Sequence, residues 1–433
     1  LVGSEMCIRD SLRIRVAPIL LRFLSSCDDF TLMVRVFRLV FLLISDMLEI
    51  TTNEAEVTLS LMTHLISSSS KTPKWKRIFC LEIYASLFKD FKATEKLFRE
   101  FDNNQEVEKR QVVHDFLTVC VEIISSERKM LNSGDIVQPP SGHNDLREST
   151  GPKPIIDPKS GQSVPQSNNM PLIFSVYPSE VKQTYMDSID KMEPPVMPES
   201  YMLSLIAQCA TQFSECLFNH SLSLARDFKK YGVKSEVQGV ILLDEAMVKK
   251  YSDPDEIAEY QVLHDFTLRT WESLYGILKL LAVSSLDNES FSLTIHSLQR
   301  LCHASGILSV PKAQTTIINY FAYTTVNLSG QLGYHNKIQS LGESIAGTIS
   351  SAIGQAVSNM SHTTKSSSEG RMSVSSNSKM KWYPRTINSR QIICFRALVD
   401  LGISLAELFD DSWRTLMIVF QWISYYIDGP TGF

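Results

Sequence analysis

Apolar residues in this chain recur mainly every three or four positions, which is the spacing of amphipathic helices. Residues 30–49 are apolar nearly all round, and their polar residues form one thin stripe with a 3.6-residue period. That stripe consists of Thr31, Arg35, Arg38, Ser45, Asp46 and Glu49. The pattern predicts a helix buried on most sides between neighbours. In the next helix, Val57, Leu61 and Leu65 recur at every fourth position and predict its buried stripe.

Helical patterns fill three parts of the chain, 11–130, 199–360 and 386–433. In the middle part, one buried face is predicted within 257–284, and it carries Leu263, Trp271, Leu274, Leu278 and Leu281. The last part predicts a hairpin of two helices whose turn ends at Ser412, with the second helix beginning at Trp413. Roughly ten to fifteen helices without strands predict an all-α fold, an armadillo- or HEAT-like helical array with degenerate repeats.

Two stretches interrupt the helices. Residues 131–198 hold 11 of the 17 prolines, and proline removes backbone donors and disfavours a helix in the residue before it. Residues 361–385 are rich in serine. Both are predicted to be disordered linkers. We also expect 1–10 to be a leader foreign to the chain, because these residues share no helical register with the helices after them.

Charge and cysteine usage narrow the function classes. The 433 residues carry a net charge of −5 with a pI near 6.0, which argues against a nucleic-acid binder. The eight cysteines form no CxxC pair, so we expect reduced, buried thiols. The apolar run from Phe30 to Ile44 is broken by Arg35 and Arg38 before it reaches the length of a membrane span. The sequence predicts a soluble or peripheral protein.

No enzyme motif is present: the sequence has no phosphate loop, GxGxxG, HExxH or GxSxG. The pairs His114–Asp115 and His264–Asp265 are neighbours on predicted helices, so their side chains should point about 100° apart. His296, Cys302 and His303 do not share one ligand geometry, because Cys302 and His303 are adjacent and His296 is two turns away. We therefore expect no catalytic residues, no cofactor and no metal site.

A narrow stripe near the second linker has two interpretations. Ile345, Ile349, Ile353 and Val357 recur at every fourth position. The stripe is either a helix that docks on the array or a weakly membrane-binding amphipathic helix.

The order and spacing of several short runs within 54–102 are more specific than any one of them. The runs are Glu54 and Glu56 followed by Leu59–Leu61, then Trp75–Ile78, Leu81–Ile83, Leu97–Phe98 and Phe101–Asp102. Together they resemble the HUS region upstream of the exchange domain in large Arf exchange factors. The resemblance is nearest to the Mon-two family, Golgi and endosomal scaffolds without that domain. Residues 266–328 and 386–426 resemble later segments of the same family. The pattern departs at Asn103, where the exchange factors carry cysteine after the aromatic–Asp pair.

The resemblance implies a non-catalytic scaffold that is peripheral on trans-Golgi and endosomal membranes, with the chain covering the tail of the dimerisation region (DCB) and the HUS region. The implied partners are an Arf-like small GTPase, a Dopey-type scaffold and, indirectly, a lipid flippase, with self-association as a further option. The candidate partner surface consists of Trp75, Arg77, Glu82, Phe101 and Asp102; the alternative for Trp75 is that it anchors one helix against the next. Two other functions remain open, the regulatory region of an Arf exchange factor and a cargo-binding helical solenoid.

Overall fold

The computed structural model of the chain describes residues 10–67, 71–103, 110–126, 155–156, 163–164, 184–198, 200–229, 254–284, 286–327, 387–409 and 411–428. In these residues the chain is built from α-helices that pack on one another. The described part contains one sheet, an antiparallel pair of two-residue strands, β1 (Ile155–Ile156) and β2 (Ser163–Val164). The all-α prediction is confirmed.

Six helices make up the first part of the array. They are α1 (Ala17–Ser26), α2 (Phe30–Asp46), α3 (Thr52–Ile66), α4 (Lys74–Leu87), α5 (Phe91–Leu97) and α6 (Val112–Ser126). A π-helical turn, Leu12–Val16, leads into α1, and another, Phe98–Asp102, continues α5. Helix α2 begins where the sequence predicts, after Asp29, whose carboxylate accepts a hydrogen bond from the backbone N–H of Leu32 and caps the helix.

The polar side of α2 agrees with the prediction, but the helix is less buried than predicted, since Leu39 and Leu42 are each 49% exposed. In α2, Arg35 and Arg38 are exposed and the apolar residues between them are buried. In α3, Val57 is 54% exposed. The residues that α3 buries are Ala55, Thr58, Leu59, Met62, Thr63, Leu65 and Ile66.

The predicted stripe of α3 is wrong at Val57, whereas Leu65 is buried and Leu61 packs against the core. Polar residues on the buried side hide its true position from the hydrophobic pattern. The Thr58 hydroxyl donates to the Glu54 carbonyl oxygen at 2.6 Å, and the Thr63 hydroxyl is hydrogen-bonded to the Tyr84 hydroxyl at 2.7 Å. A buried polar group with a partner is readily accommodated in a core.

Six further helices make up the second part of the array. They are α7 (Tyr201–Lys229), α8 (Pro254–Val283), α9 (Asn288–Ile307), α10 (Pro311–Asn327), α11 (Ser389–Ser404) and α12 (Ser412–Asp428). The predicted face of α8 is confirmed, since all five of its residues are buried. Helices α11 and α12 form the predicted hairpin, with α12 beginning one residue before Trp413. Asn388 and Gln391 form a capping box that starts α11.

The two parts share one core. Helix α4 packs against α7, α6 packs against α8, and the terminal hairpin packs against α9 and α10. Aromatic rings fill the junction: the centroid of Phe213 in α7 lies 4.3 Å from that of Phe88 and 5.7 Å from that of Phe266 in α8. The buried apolar residues of all twelve helices form one continuous cluster.

Residues 184–198, here called the strap, lie across α2 and α4 and contain one 3₁₀ turn, Tyr185–Asp187. They belong to the stretch 131–198, the rest of which lies outside the described residues except β1 and β2.

The predicted linker 361–385 and the stripe from Ile345 to Val357 also lie outside the described residues, so these interpretations stay predictions. None of the described helices combines the length and apolar composition that crossing a membrane requires.

Candidate functional site

The five candidate partner residues lie in two places, on α4 and at the π-helical end of α5. Trp75 is half-buried in the first turn of α4, and its ring meets the ring of Phe30 edge to face, with centroids 5.5 Å apart. Phe30 is the first residue of α2. Trp75 therefore anchors α4 against α2, which is one of the two interpretations of its sequence context. A partner contact through the remainder of its ring stays a prediction.

Glu82 is 3% exposed and holds the strap. Its Oε1 accepts from the backbone N–H of Tyr185 at 3.0 Å and from the hydroxyl of Tyr201 at 2.9 Å. Its Oε2 accepts from the backbone N–H of Met186 at 3.0 Å. The three donors belong to the strap and to the start of α7, so Glu82 holds both of these segments on α4.

An aromatic pocket surrounds this carboxylate. The ring centroid of Tyr185 lies 5.7 Å from that of Phe30 and 5.9 Å from that of Phe79, on which it stacks. Phe79 in turn stacks on Phe37 of α2 at 4.4 Å. We call Phe30, Phe79 and Glu82 the Tyr185 pocket. It combines two rings that take an aromatic side chain with a carboxylate that takes the two following backbone donors.

Burial raises the pKa of Glu82 to about 7, although its three hydrogen bonds act in the opposite direction. The carboxylate raises the pKa of Tyr201 in turn, after the larger effect of burial. The site thus keeps a carboxyl group in an environment that disfavours its charge.

Lys76 and Arg77, the two residues after Trp75, connect α4 to neighbouring helices by hydrogen bonds. Arg77 is half-buried, and its Nε donates to the carbonyl oxygen of Ile66 at the end of α3, at 3.0 Å. Lys76 is buried, and its Nζ donates to the carbonyl oxygen of Cys27 at 2.9 Å and lies 3.7 Å from the Asp28 carboxylate. A cation at the carboxyl end of a helix is favourable, because unpaired carbonyl groups gather there.

Phe101 and Asp102 are buried and serve the fold. The two carboxylate oxygens of Asp102 accept from the backbone N–H groups of Val113 and His114, at 3.1 and 3.0 Å. Asp102 therefore caps α6 from a distance, satisfying two of the donors that a helix start leaves free. Burial raises its pKa to about 6 against the effect of these bonds.

The carbonyl oxygen of Asp102 accepts a hydrogen bond from Nη1 of Arg269 in α8. Phe101 and Asp102, the aromatic–Asp pair of the HUS-like pattern, therefore lie where α5, α6 and α8 meet. Neither Phe101 nor Asp102 offers an exposed surface to a partner in this structure.

The side chains of His264 and Asp265 meet although the two residues are neighbours on α8, since the histidine Nδ1 lies 3.3 Å from a carboxylate oxygen of Asp265. Burial lowers the pKa of His303 to about 4, and its ring lies 5.1 Å from that of Phe218. The described residues contain no group of three or more His, Cys, Asp or Glu side chains able to hold a metal ion.

Sequence reasoning missed the residues that complete the site. Tyr185 and Tyr201 flank the proline-rich end of the strap, 103 and 119 residues from their partner Glu82. A tyrosine followed by methionine in such a stretch carries no periodic signal. Lys76 was missed because lysine is seldom buried.

The sequence profile of the family described as "Mon2/Sec7/BIG1-like, HUS domain" matches residues 2–109. That range contains every candidate partner residue and the Tyr185 pocket. No solved structure matches the chain.

Curated relatives match over most of the chain. It is 28% identical to Protein MON2 of Saccharomyces cerevisiae over 97% of this chain. It is 20% and 21% identical to the MON2 homologs of Xenopus laevis and Homo sapiens, each over 90% of this chain. The chain spans 23% of the length of each of these relatives.

Proposed function

We propose that this chain, a member of the Mon-two family, is a non-catalytic scaffold in vesicle-mediated protein trafficking between endosomes and the trans-Golgi. The observation that supports this proposal most is the combination of family membership with the array of helices in the described residues, twelve of which share one core. Arrays of stacked helices present extended surfaces and bind through them.

The partners proposed for this scaffold are an Arf-like small GTPase, a Dopey-type scaffold and, through that assembly, a lipid flippase. Trp75 and Arg77 remain in the proposed partner surface, since both are half-buried rather than buried. Membrane association is proposed to be peripheral and to depend on these partners.

The experiment that tests this function is a pull-down from cytosol and membranes with residues 11–433 as bait, followed by mass spectrometry. Three baits are compared: the wild type, Arg77→Ala and Arg300→Ala. Arg300 is the control, because it is a comparably placed arginine that pairs with Glu215 at 3.1 Å in the second part of the array.

We expect the wild type and Arg300→Ala to recover an Arf-like GTPase or a Dopey-type scaffold, and Arg77→Ala to recover several-fold less. The melting temperature of each bait shows whether it is folded. Recovery of nuclear transport cargo without Golgi or endosomal proteins would favour a cargo-binding solenoid and contradict the proposal.

A second candidate function is the regulatory region of an Arf exchange factor. The description of the matching profile favours it, because that description also names Sec7 and BIG1. The sequence after position 433 in the source genome decides between the two, since an encoded exchange domain would establish the second function.

A further inference from the structure

We propose that the Tyr185 pocket is a binding site for a peptide turn that begins with an aromatic residue, and that the strap occupies it as an intramolecular ligand. The inference rests on the proposed function, since it specifies how one partner site of the scaffold is covered. A partner of this chemistry binds after it displaces the strap.

The pocket itself is built on helices, and each of its two rings also has a contact outside the strap. Phe79 is fixed by stacking on Phe37, and Phe30 is fixed by its contact with Trp75. Helices α2 and α4 supply all of these residues. Without the strap, the pocket would present two aromatic rings and a carboxylate that retains only the Tyr201 hydroxyl as a donor.

The strap binds in the manner of a peptide ligand. It contributes one aromatic side chain to the rings and two consecutive backbone N–H groups to Glu82. Arg38 adds one donor to the carbonyl oxygen of Met186 at 3.1 Å. Backbone donors fix the position of such a ligand, and the ring pocket selects its side chain.

Beyond this turn Ser188 is buried and Met197 packs against the core, but the residues between them are mostly exposed. The Thr31 hydroxyl reaches the carbonyl oxygens of Lys191 and Met192 only at 3.4 and 3.5 Å. Met192 is 87% exposed and Val196 is 99% exposed. Segments with few buried apolar contacts open at a lower free energy than core helices do. We therefore expect the strap to open at a lower free energy than α2 and α4 do, although Tyr185 itself is buried.

Peptide binding in trans tests the proposal. The full chain with Tyr185→Ala empties the ring pocket and leaves Glu82 in place. A fluorescein-labelled peptide of residues 184–198 is titrated into this variant and into the wild type, with the Tyr185→Ala peptide as the matched control. Fluorescence anisotropy measures each dissociation constant.

We expect the variant to bind the wild-type peptide at least ten-fold more tightly than the wild-type chain does, and more tightly than it binds the control peptide. Adding Glu82→Gln to the variant should weaken binding several-fold. Equal affinity for the two peptides in a folded variant would overturn the proposal. Light scattering that shows strap-dependent dimers of the wild type would overturn it in favour of strap exchange between copies.

Hydrogen exchange on the wild type keeps the proposal testable if Tyr185→Ala does not fold. We expect the amides of Tyr185 and Met186 to exchange on the order of 100-fold faster than the amides of Phe79 to Ile83 in α4. Equal rates would mean that the strap opens only with the whole core, which overturns the proposal. Neither measurement uses a Golgi or endosomal protein, so failure here is distinguishable from failure of the proposed function.

Discussion

Two buried carboxyl groups, Glu82 and Asp102, organise the HUS-like part of the array, and each does so by accepting backbone N–H groups from a distant segment. Such bonds are strong because the acceptor can carry a charge. Burial opposes that charge and raises both pKa values. The two residues therefore hold the chain together and also respond to pH.

The pH dependence of stability follows from the two raised pKa values. Burial raises the pKa of Glu82 from 4.5 to about 7 and that of Asp102 from 3.8 to about 6, so the folded chain binds these protons more tightly than the unfolded chain. Their contribution to the free energy of unfolding is fully present below about pH 4 and is lost as the pH rises through about 6 and then about 7.

Glu82→Gln isolates one of these contributions. The glutamine does not titrate, so we expect the free energy of unfolding of this variant to fall less steeply between about pH 4.5 and 7.5 than that of the wild type. One pKa unit corresponds to about 1.4 kcal/mol, which urea denaturation at a series of pH values resolves. Parallel curves for the two chains would contradict this assignment.

Asp102→Ala tests the long-range cap of α6. The substitution leaves two buried N–H groups without their acceptor, and we expect it to lower the free energy of unfolding by about 2–4 kcal/mol. The control is Asp115→Ala, which removes an exposed carboxylate from the first turn of the same helix and should cost about 0.5 kcal/mol. Urea denaturation of both variants measures the difference, and equal losses would argue against the cap.

At the scale of single helices, periodicity predicts position well and orientation less well. The sequence correctly places α2 and the terminal hairpin, although apolar residues such as Leu39 in α2 and Ile403 in α11 are exposed. In α3 it places Val57 on the buried side, whereas Thr58 and Thr63 are buried with internal partners. Helix propensity and pattern contain no information about such partners.

The candidate site shows the same limit more strongly. The family resemblance identifies Trp75 and Glu82 as candidate partner residues. In the structure, Trp75 contacts Phe30 and Glu82 binds the strap. The resemblance does not reveal that Glu82 binds Tyr185, which is 103 residues away. Long-range pairs of this kind leave no local signal, so the sequence does not identify the residues that contact Glu82.

Two glycines provide a matched test of helix packing. A Cβ atom on Gly276 in α8 would lie 3.6 Å from the side chain of Val121, which is an ordinary contact. A Cβ atom on Gly306 in α9 would lie 2.9 Å from Cδ2 of Leu405, which is buried. Alanine favours a helix interior over glycine, whereas overpacking a core costs about 1–3 kcal/mol.

We therefore expect Gly276→Ala to raise the free energy of unfolding by about 0.5–1 kcal/mol. Gly306→Ala should lower the free energy of unfolding, because the clash of the new methyl group with Leu405 outweighs the gain in helix propensity near the end of α9. Denaturation curves of the two variants beside the wild type check both signs. A gain in both variants would show that Leu405 moves aside freely.

At the scale of the whole molecule, the continuous core predicts cooperative unfolding although the sequence divides the helices by linkers. Phe213 stands at the centre of the junction, between Phe88 at the end of α4 and Phe266 of α8. Parts that share a buried interface of this kind gain stability from each other. We expect the wild-type chain to unfold in one transition, with coincident curves from far-UV circular dichroism and tryptophan fluorescence.

Phe213→Ala tests this coupling. Removing a buried phenylalanine costs about 3–5 kcal/mol, and here the loss falls on the contact between the two parts. We expect the variant to unfold at a lower denaturant concentration and the two probe curves to separate. Phe395→Ala is the control, since this ring packs on Phe420 in the terminal hairpin, with centroids 5.5 Å apart, and lies away from the junction. Separated curves in the wild type would show that the two parts fold independently despite their shared core.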